Sequence, residues 1–348
     1  MNMLKFVTGQ SRRFTFTLLL VFVLFSCSKE KKEDRRNMTV VFYNVENLFD
    51  LVDEPLKKDE EFTPAGEKKW NEERYEKKLK DLAKVLTSVN KNELPEIIGL
   101  SEVENRKVLE DLVATGKLSG GNYKIIHYES PDFRGIDNAL IYREDEFKVL
   151  DHFAVGIVFE NKPDYKTRDI LYVKGRTRNR EKFHIFVNHW PSRIGGTEKT
   201  EPGRIAVASI LKQKTDSIFN ADKDAKIIIM GDMNDEPVNR SLLETLGAKS
   251  PEDETAGLIN LMFPADAEGK GSYNFRGNWN MLDHVIVSES LMDEKGFQVT
   301  GKRGYVFHEE WMEYINRDGE MSPNRTYGGP NYYGGISDHF PVYFKMQR

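Results

Sequence analysis

The sequence predicts a layered α/β (α+β) sandwich, built from packed sheets and helices. Short apolar runs without polar alternation recur along the chain, and such runs are typical of strands buried on both faces. Segments with helical spacing separate some of these runs, but strands and helices do not alternate as they would in a repeated βαβ fold. Because 39% of the 348 residues are hydrophobic, the chain has enough apolar material for a large core.

The amino terminus predicts export and lipid attachment. Basic residues precede an apolar stretch from Phe14 to Phe25, which is too short to span a bilayer, so residues 1–26 are predicted to be a secretory signal peptide. The stretch ends in Leu-Phe-Ser-Cys, which looks like a bacterial lipobox, so we expect Cys27 to be lipidated. The alternative is a plain signal peptide with a chance cysteine. Since Cys27 is the single cysteine, an internal disulfide and a thiolate zinc cluster are excluded.

Residues 27–37 are mostly charged, with both signs mixed, which is typical of a solvated tether. We therefore expect one large catalytic domain over residues 38–348, with neither internal repeats nor a further linker. The predicted location is the bacterial cell envelope, lipid-anchored and either periplasmic or surface-exposed. No feature implies a protein partner, and we expect a monomer.

Local patterns place the elements of the domain. The first helix is predicted from the spacing of Leu79, Leu82 and Leu86. The predicted helices are Trp70–Val89, Gly203–Phe219 and Asn239–Leu246. The predicted strands are Thr39–Tyr43, Ile97–Leu100, Tyr123–His127, Asn138–Tyr142, Lys148–Phe153, Ile170–Lys174, Lys182–Val187, Ile227–Met230, Leu282–Val287 and Val342–Lys345.

Polar residues follow the most apolar of these strands at the point where it ends. The run Ile227–Met230 stops at Gly231, and Asp232 and Asn234 come next. A carboxylate and a carboxamide two residues apart, at the end of a rigid strand, can both point into one cleft, where they would suit a hard cation or phosphate oxygens. The alternative is an ordinary Asp/Asn turn.

Other predicted strands carry polar residues in the same way. These residues are Asn44, Glu102, His189, Asp283, Asp338 and His339. Any one of them alone is more often structural than functional. Together, carboxylate and amide oxygens can hold a divalent cation, and histidines can contact or protonate a phosphate oxygen. The set therefore predicts phosphoester hydrolysis. Phosphate-loop, His-Glu-x-x-His and Gly-x-Ser-x-Gly motifs are absent from the sequence.

At these positions the sequence resembles the endonuclease/exonuclease/phosphatase superfamily. The matching motifs are Tyr-Asn-Val-Glu-Asn (43–47), Ser-Glu-Val-Glu-Asn (101–105), Asn-His-Trp-Pro-Ser-Arg (188–193), Gly-Asp-Met-Asn-Asp (231–235), Leu-Asp-His (282–284) and Ser-Asp-His-Phe-Pro (337–341). They occur in the family's order and span most of the chain. The resemblance implies a four-layer α/β/β/α sandwich, with two packed mixed β-sheets flanked by helices.

The resemblance also implies roles. Asn44, Glu102 and Asp338 would bind the metal, together with Asp232 and Asn234. The implied cofactor is Mg²⁺, with Mn²⁺ or Ca²⁺ as alternatives. The implied catalytic residues are His189, Asp232, Asn234, Asp283 and His339, with Asp283 paired to His339. Either Asp232 or His339 would take the proton. For His189 the one candidate partner is Glu129.

Substrate contacts are predicted from loops beside these motifs. Arg134 and Asn138 would reach phosphate oxygens, Arg193 would add a guanidinium, and Tyr327 would offer a stacking surface in a mobile Gly/Tyr loop. The alternatives are a salt-bridged loop at Arg134 and a packed Gly/Tyr loop at Tyr327. The net charge of −5 excludes a broadly basic nucleic-acid coat, so local cations must offset substrate charge.

The expected function is a metal-dependent endonuclease acting on DNA or RNA. One alternative is an inositol-phosphate phosphatase or a sphingomyelinase-like phospholipase C on the same fold. A second alternative is a surface binding protein on an inactive scaffold. The complete set of polar residues argues against this last alternative.

Overall fold

The computed structural model describes residues 37–91, 93–159, 162–293 and 295–348. The predicted signal peptide, Cys27 and all but the last residue of the predicted tether lie outside this part of the chain. Among the described residues, no helix has the length and apolar character needed to cross a membrane.

The described chain contains many strands and few long helices. The helices are α1 (Glu72–Ser88), α2 (Arg106–Val113), α3 (Thr197–Ala221) and α4 (Phe263–Ala267), with a π-helical turn at Ser241–Leu246. The strands are β1 (Asn37–Leu48), β2 (Ile97–Val103), β3 (Tyr123–His127), β4 (Asp137–Arg143), β5 (Phe147–Val155), β6 (Ile170–Thr177), β7 (Lys182–His189), β8 (Lys226–Asp232), β9 (Ala248–Lys249), β10 (Leu258–Asn260), β11 (Tyr273–Phe275), β12 (Asn278–Asn280), β13 (Asp283–Ser288), β14 (Gln298–Val299), β15 (Tyr305–Val306), β16 (Glu313–Ile315), β17 (Met321–Pro323), β18 (Tyr327–Gly328), β19 (Asn331–Tyr332) and β20 (Val342–Gln347).

Two large mixed sheets organise the molecule. The first sheet has the order β14-β20-β1-β2-β4-β3, with β15 also paired to β20, and its β1–β2 pair is parallel. The second sheet has the order β5-β6-β7-β8-β13-β10-β9, and its β7–β8 pair is parallel. The pairs β11–β12, β16–β17 and β18–β19 are separate two-stranded ribbons.

The central strands are apolar on both faces because both faces are buried. In β8, Ile228 and Met230 belong to the core between the two sheets. Ile227 and Ile229, on the opposite face, pack with α3 residues such as Leu211. Phe42 and Tyr43 of β1 divide in the same way between the inner core and the core under α1 and α2. This layering confirms the predicted α/β/β/α sandwich.

One glycine brings the two sheets close together next to the site. A Cβ atom at Gly99 of β2 would lie 2.4 Å from the sulfur of Met230 in β8. Glycine therefore permits close packing of two strands that both end in predicted functional residues.

The predicted element boundaries needed several corrections. The helix predicted at Gly203–Phe219 begins at Thr197, so Pro202 lies in its second turn. The helix predicted at Asn239–Leu246 is the π-helical turn. Helix α2 was not predicted; the Asn105 side chain caps it by accepting a hydrogen bond from the Val108 N–H.

Candidate active site

Backbone irregularities mark the site where β1, β2 and β8 end. The β1–β2 register is interrupted after Asn44, and the β2–β4 register is interrupted after Ser101. The φ angles of Glu46, Glu102 and Asn234 are 49°, 63° and 50°. Non-glycine residues rarely adopt this left-handed conformation, and such strain is typical of functional sites.

Strand register places three of the predicted catalytic residues side by side. His189 at the end of β7 is the parallel partner of Asp232 in β8. Asp283 at the start of β13 is the antiparallel partner of the same Asp232. Asp232 therefore lies between the other two in the second sheet, and each of the three is buried.

Asp232 also connects the two sheets through a side-chain hydrogen bond. The Asn44 amide Nδ2 donates to Asp232 Oδ2 at 3.0 Å, and the Asn234 N–H donates to Oδ1 at 3.0 Å. The same Oδ2 lies 3.6 Å from Nε2 of His189 and 3.8 Å from Nε2 of His339. Burial raises the pKa of Asp232 to about 7 against the lowering effect of His339. A cation or a proton at this carboxylate would offset the cost of its burial.

His339 is held as an imidazolium. Its Nδ1–H donates to Asp283 Oδ2 at 2.6 Å, and its ring lies against Tyr273 with 4.9 Å between ring centroids. Burial lowers the pKa of His339, but the carboxylates of Asp283 and Asp232 outweigh burial and hold that pKa well above its ordinary value. The predicted Asp283–His339 pairing is present in the geometry.

His189 has the opposite ionisation. Burial lowers its pKa well below the ordinary value, and the nearby positive charges of Arg168 and Arg134 add to that effect. Its Nδ1 is buried and has no hydrogen-bond partner among the described residues. Glu129 is therefore not its partner, and this prediction is corrected: Glu129 instead faces His127, with 4.0 Å between Oε1 and Nδ1.

Glu102 and Asp232, two of the predicted metal ligands, face the same histidine. Glu102 Oε1 lies 3.9 Å from the His189 Nε2 that also faces Asp232, so both carboxylates border the same space. Glu102 Oε2 accepts the Asn47 N–H at 3.0 Å. Asp338 lies beside this set and accepts a hydrogen bond from Arg325 at 2.5 Å.

These residues fit a hard divalent cation. Ligand atoms of Asp232, Asp283 and His339 lie within 4.8 Å of one another, and Asp283 is already bonded to His339. Glu102 and Asp232 remain as carboxylate donors of the kind that such ions prefer. The Asn44 amide oxygen accepts the Glu46 N–H at 3.0 Å and keeps a second lone pair for a cation.

Two of the four predicted substrate contacts lie beside this centre. Arg134 is partly exposed, and its Nε is 3.7 Å from Asp132. Asn138 is the register partner of Ser101, next to Glu102. Its Nδ2 donates to the Asp169 carbonyl, and its buried Oδ1 has no partner within the described ranges.

The other two have structural surroundings that correct the prediction. Each guanidinium nitrogen of Arg193 donates to a protein oxygen, on Asn234, Asn280 and Asn239, so the side chain fastens loops together. Tyr327 is only 7% exposed and packs among Phe62 and Trp70, so its ring offers no free face for stacking. Beyond Tyr327 the same loop is more open, and Tyr333 is 61% exposed.

The family follows from comparison with known proteins. The sequence model of the Endonuclease/Exonuclease/phosphatase family matches residues 39–348. The chain belongs to this family. Members of the family are hydrolases of phosphoester bonds, so the protein is a phosphoester hydrolase. No curated protein sequence matches the chain significantly.

Solved structures of the endonuclease/exonuclease/phosphatase family have the same fold. A family protein from Bacteroides thetaiotaomicron is 18% identical, with a TM-score of 0.55 over 89% of this chain and 97% of that one. The mannosyl-6-phosphatase of the same organism is 17% identical, with a TM-score of 0.56 over 89% and 100%. TDP2 from D. rerio, complexed with single-strand DNA product, is 14% identical, with a TM-score of 0.56 over 90% and 99%.

Sequence analysis missed several residues that support the site in this family member. Buried Arg168 donates to the Trp190 carbonyl and to Asp132, next to His189. Lys78 of α1 is buried, and its ammonium group donates to the Glu46 carbonyl and to Thr326. The sequence of a charged amphipathic helix does not show which of its lysines is buried. Likewise, the sequence around an isolated loop arginine does not show which residues it will contact.

Proposed function

We propose that the protein is a divalent-cation-dependent phosphodiesterase that cleaves nucleic acid as an endonuclease. The observation that carries the proposal is the placement of Asp232 between a neutral His189 and a charged His339, beside Glu102 and Asn44. Oxygen donors, a positive charge and a base then surround one small space. These are the groups that hydrolysis of a phosphodiester requires.

Asp232 is the residue that accepts the proton of the attacking water. His339 is already protonated and cannot take it, because Asp283 binds its Nδ1–H and stabilises the imidazolium. The water oxygen forms a bond to phosphorus as the opposite P–O bond breaks, and the water proton moves to the Asp232 carboxylate. The leaving alkoxide takes a proton from solvent.

The remaining residues stabilise charge on the phosphate. His339 supplies a positive charge, and neutral His189 supplies an N–H hydrogen bond, to the oxygens that become more negative in the transition state. Mg²⁺, held by Glu102, Asp232 and Asn44 when bound, would act there as a Lewis acid; Mn²⁺ and Ca²⁺ are the alternatives. No covalent enzyme intermediate is needed.

Local positive charge supports a nucleic-acid substrate. Arg134 and Arg325 lie at the edge of the centre, although the whole chain has a net charge of −5. TDP2 from D. rerio, whose structure contains a single-strand DNA product, has the same fold.

A substrate panel with and without Mg²⁺ tests the proposal. The folded protein is incubated with double-stranded DNA, single-stranded DNA, RNA, an inositol phosphate, mannose 6-phosphate and sphingomyelin. We expect internal cleavage of a nucleic acid that stops when a chelator is added. Turnover of a phosphomonoester or sphingomyelin alone would refute the nuclease assignment, and undiminished cleavage in the chelator would refute the metal requirement.

We also propose that Cys27 carries a lipid that anchors the protein in the bacterial cell envelope. The support is the basic and apolar sequence before the single cysteine. Radiolabelled palmitate should label the wild-type chain in cells, and Cys27→Ser should abolish the label. An equally labelled Cys27→Ser protein would contradict lipidation at this residue.

A further inference from the structure

A cleft of about 570 Å³ adjoins the catalytic centre. Two loops form it: the segment from Asn47 to Lys68, and the segment that contains Phe133 and Arg134. The loops are joined by a backbone hydrogen bond from the Lys58 N–H to the Phe133 carbonyl at 2.8 Å. The cleft is large enough for a group of nucleotide size.

One hydrogen bond and one electrostatic effect connect the cleft to the reacting groups. The Asn47 N–H, at one end of the cleft, binds the Glu102 carboxylate. Arg134, at the other loop, is close enough to His189 for its positive charge to lower the pKa of that histidine. A substrate whose scissile phosphate lies at Asp232 can therefore place its neighbouring group in the cleft.

The cationic side chains of the cleft differ in how many contacts they already make with the protein. Lys68 lies 3.6 Å from Glu61, donates to the Gly329 carbonyl and lies over the ring of Phe62. Lys58 is exposed, and the contact found for its ammonium group within the described chain is the ring of Phe133, 5.3 Å away. Arg134 is partly exposed, and the ion pair found for it uses Nε, 3.7 Å from Asp132, which leaves the end of its guanidinium to face a ligand. Lys58 and Arg134 are therefore the cations proposed to meet a ligand.

The rest of the lining combines an aromatic face with acceptors. Phe133 is 51% exposed, although a phenylalanine gains by burial. Glu60 and Glu67 also line the cleft and are exposed. A ligand that fits this lining has an anionic group for Lys58 and Arg134, a planar ring for Phe133, and N–H donors for the carboxylates. Nucleobases with exocyclic amino groups meet the last two requirements, and a phosphate meets the first.

We propose that this cleft binds the nucleotide next to the scissile phosphate, with its base on Phe133 and its second phosphate at Lys58 and Arg134. The proposal rests on the proposed function, because it names the part of a nucleic-acid substrate that the chain holds. A phosphosugar or a lipid headgroup would use the cations but lacks a planar ring with N–H donors for Phe133 and the carboxylates.

Binding of labelled DNA trinucleotides in chelator tests the proposal without turnover. Fluorescence anisotropy gives Kd for an ordinary trinucleotide, for one with an abasic residue, and for one with a neutral methylphosphonate in place of the second phosphate. Phe133→Ala should weaken binding of the ordinary trinucleotide about ten-fold and leave the abasic one unchanged. Lys58→Ala should weaken the ordinary and abasic ligands several-fold and leave the methylphosphonate unchanged.

Matched variants separate these effects from general surface changes. Phe153→Ala removes an exposed ring from strand β5, and Lys80→Ala removes an exposed cation from α1; neither side chain lines the cleft. Both should bind all three trinucleotides as wild type does. Thermal unfolding of Phe133→Ala, Lys58→Ala and Lys80→Ala should match wild type, because these side chains are exposed. Phe153→Ala should unfold slightly earlier, because its ring packs on Tyr172 with 4.6 Å between centroids.

Each other outcome overturns the proposal. An equal loss with the ordinary and abasic ligands, or no loss in Phe133→Ala, removes the base from the cleft. Stronger competition by mannose 6-phosphate than by the trinucleotide assigns the cleft to a phosphosugar. Failure of the proposed function is distinct: wild type would then cleave no nucleic acid with Mg²⁺, whatever the binding pattern.

Discussion

The catalytic centre and the neighbouring cleft are constructed differently. Asp232 and His189 are buried at strand ends, and His339 is buried in the segment before β20. Asn44 of β1 binds Asp232, and Asp283 of β13 binds His339. Lys58 and Phe133 lie on loops, are exposed, and contact each other across 5.3 Å. The sheets thus fix the groups that react, and the loops supply the groups that select the substrate. Preorganised groups contribute most in the transition state, so damage to the centre should lower kcat, whereas damage to the cleft should weaken binding.

The largest effect is expected from Asp232→Asn. The amide has nearly the same shape, but it cannot accept a proton from water, and its NH2 replaces one of the two oxygens that accept N–H bonds from Asn44 and Asn234. We expect a loss of about a thousand-fold or more in kcat, with a cooperative unfolding transition that shows the variant is still folded. Single-turnover rates on DNA with Mg²⁺ measure this loss. A loss below about ten-fold would mean that another residue is the general base.

Two histidines on strand β7 allow a reacting residue to be compared with a structural one. His189 ends β7 and faces Asp232, whereas His184 lies earlier in β7 and bonds to the Tyr172 hydroxyl. His189→Ala should lower kcat about a hundred-fold or more, because a hydrogen bond to the phosphate is lost. His184→Ala should retain the wild-type rate. Equal losses in the two variants would show that removing a histidine from β7 acts through the fold.

The pH profile should respond to Asp283→Asn. A histidine with a raised pKa is charged below that pKa and loses its charge as the pH rises through it. Without the Asp283 carboxylate the pKa of His339 falls, so the alkaline loss of activity should begin at lower pH. NMR titration of His339 with the rate profile measures both shifts. An unchanged alkaline limb would mean that the charge on His339 is not required.

A smaller effect is expected from Arg325→Ala. Arg325 binds Asp338 at the exposed edge of the centre and does not contact Asp232. Its removal should lower kcat/KM about ten-fold by removing a positive charge near the phosphate, and Arg325→Lys should recover part of that loss. Steady-state kinetics at two ionic strengths check this, since salt should reduce the difference between the variants. A full thousand-fold loss would move Arg325 into the group of directly reacting residues.

The sequence predicted the centre better than the cleft for a physical reason. An apolar run such as Ile227–Met230 forces a buried strand, and the residues after it must lie at a sheet edge. Neighbouring strands then bring Asp232, His189 and Asp283 together. No such rule places a loop. The composition around Tyr327 is the same whether its ring is exposed or packed, and the alternative chosen was wrong.

Other differences come from contacts between distant segments. The left-handed φ of Glu102 and the burial of Lys78 depend on partners far away in sequence, Asn47 for the first and Thr326 for the second. Hydrophobic patterns and local propensities carry no information about contacts between such distant residues. The same holds for the partner of His189: Glu129 was the candidate, and the structure places it at His127.

Distant segments of the chain converge on Asp232 and Glu102, where we expect one cation site. Electron paramagnetic resonance of Mn²⁺, titrated into wild type, Glu102→Gln and the exposed-site control Glu110→Gln, measures that site. We expect one bound ion in wild type and in Glu110→Gln, and a loss of affinity of at least about ten-fold in Glu102→Gln. Binding that is unchanged in Glu102→Gln would contradict this expectation.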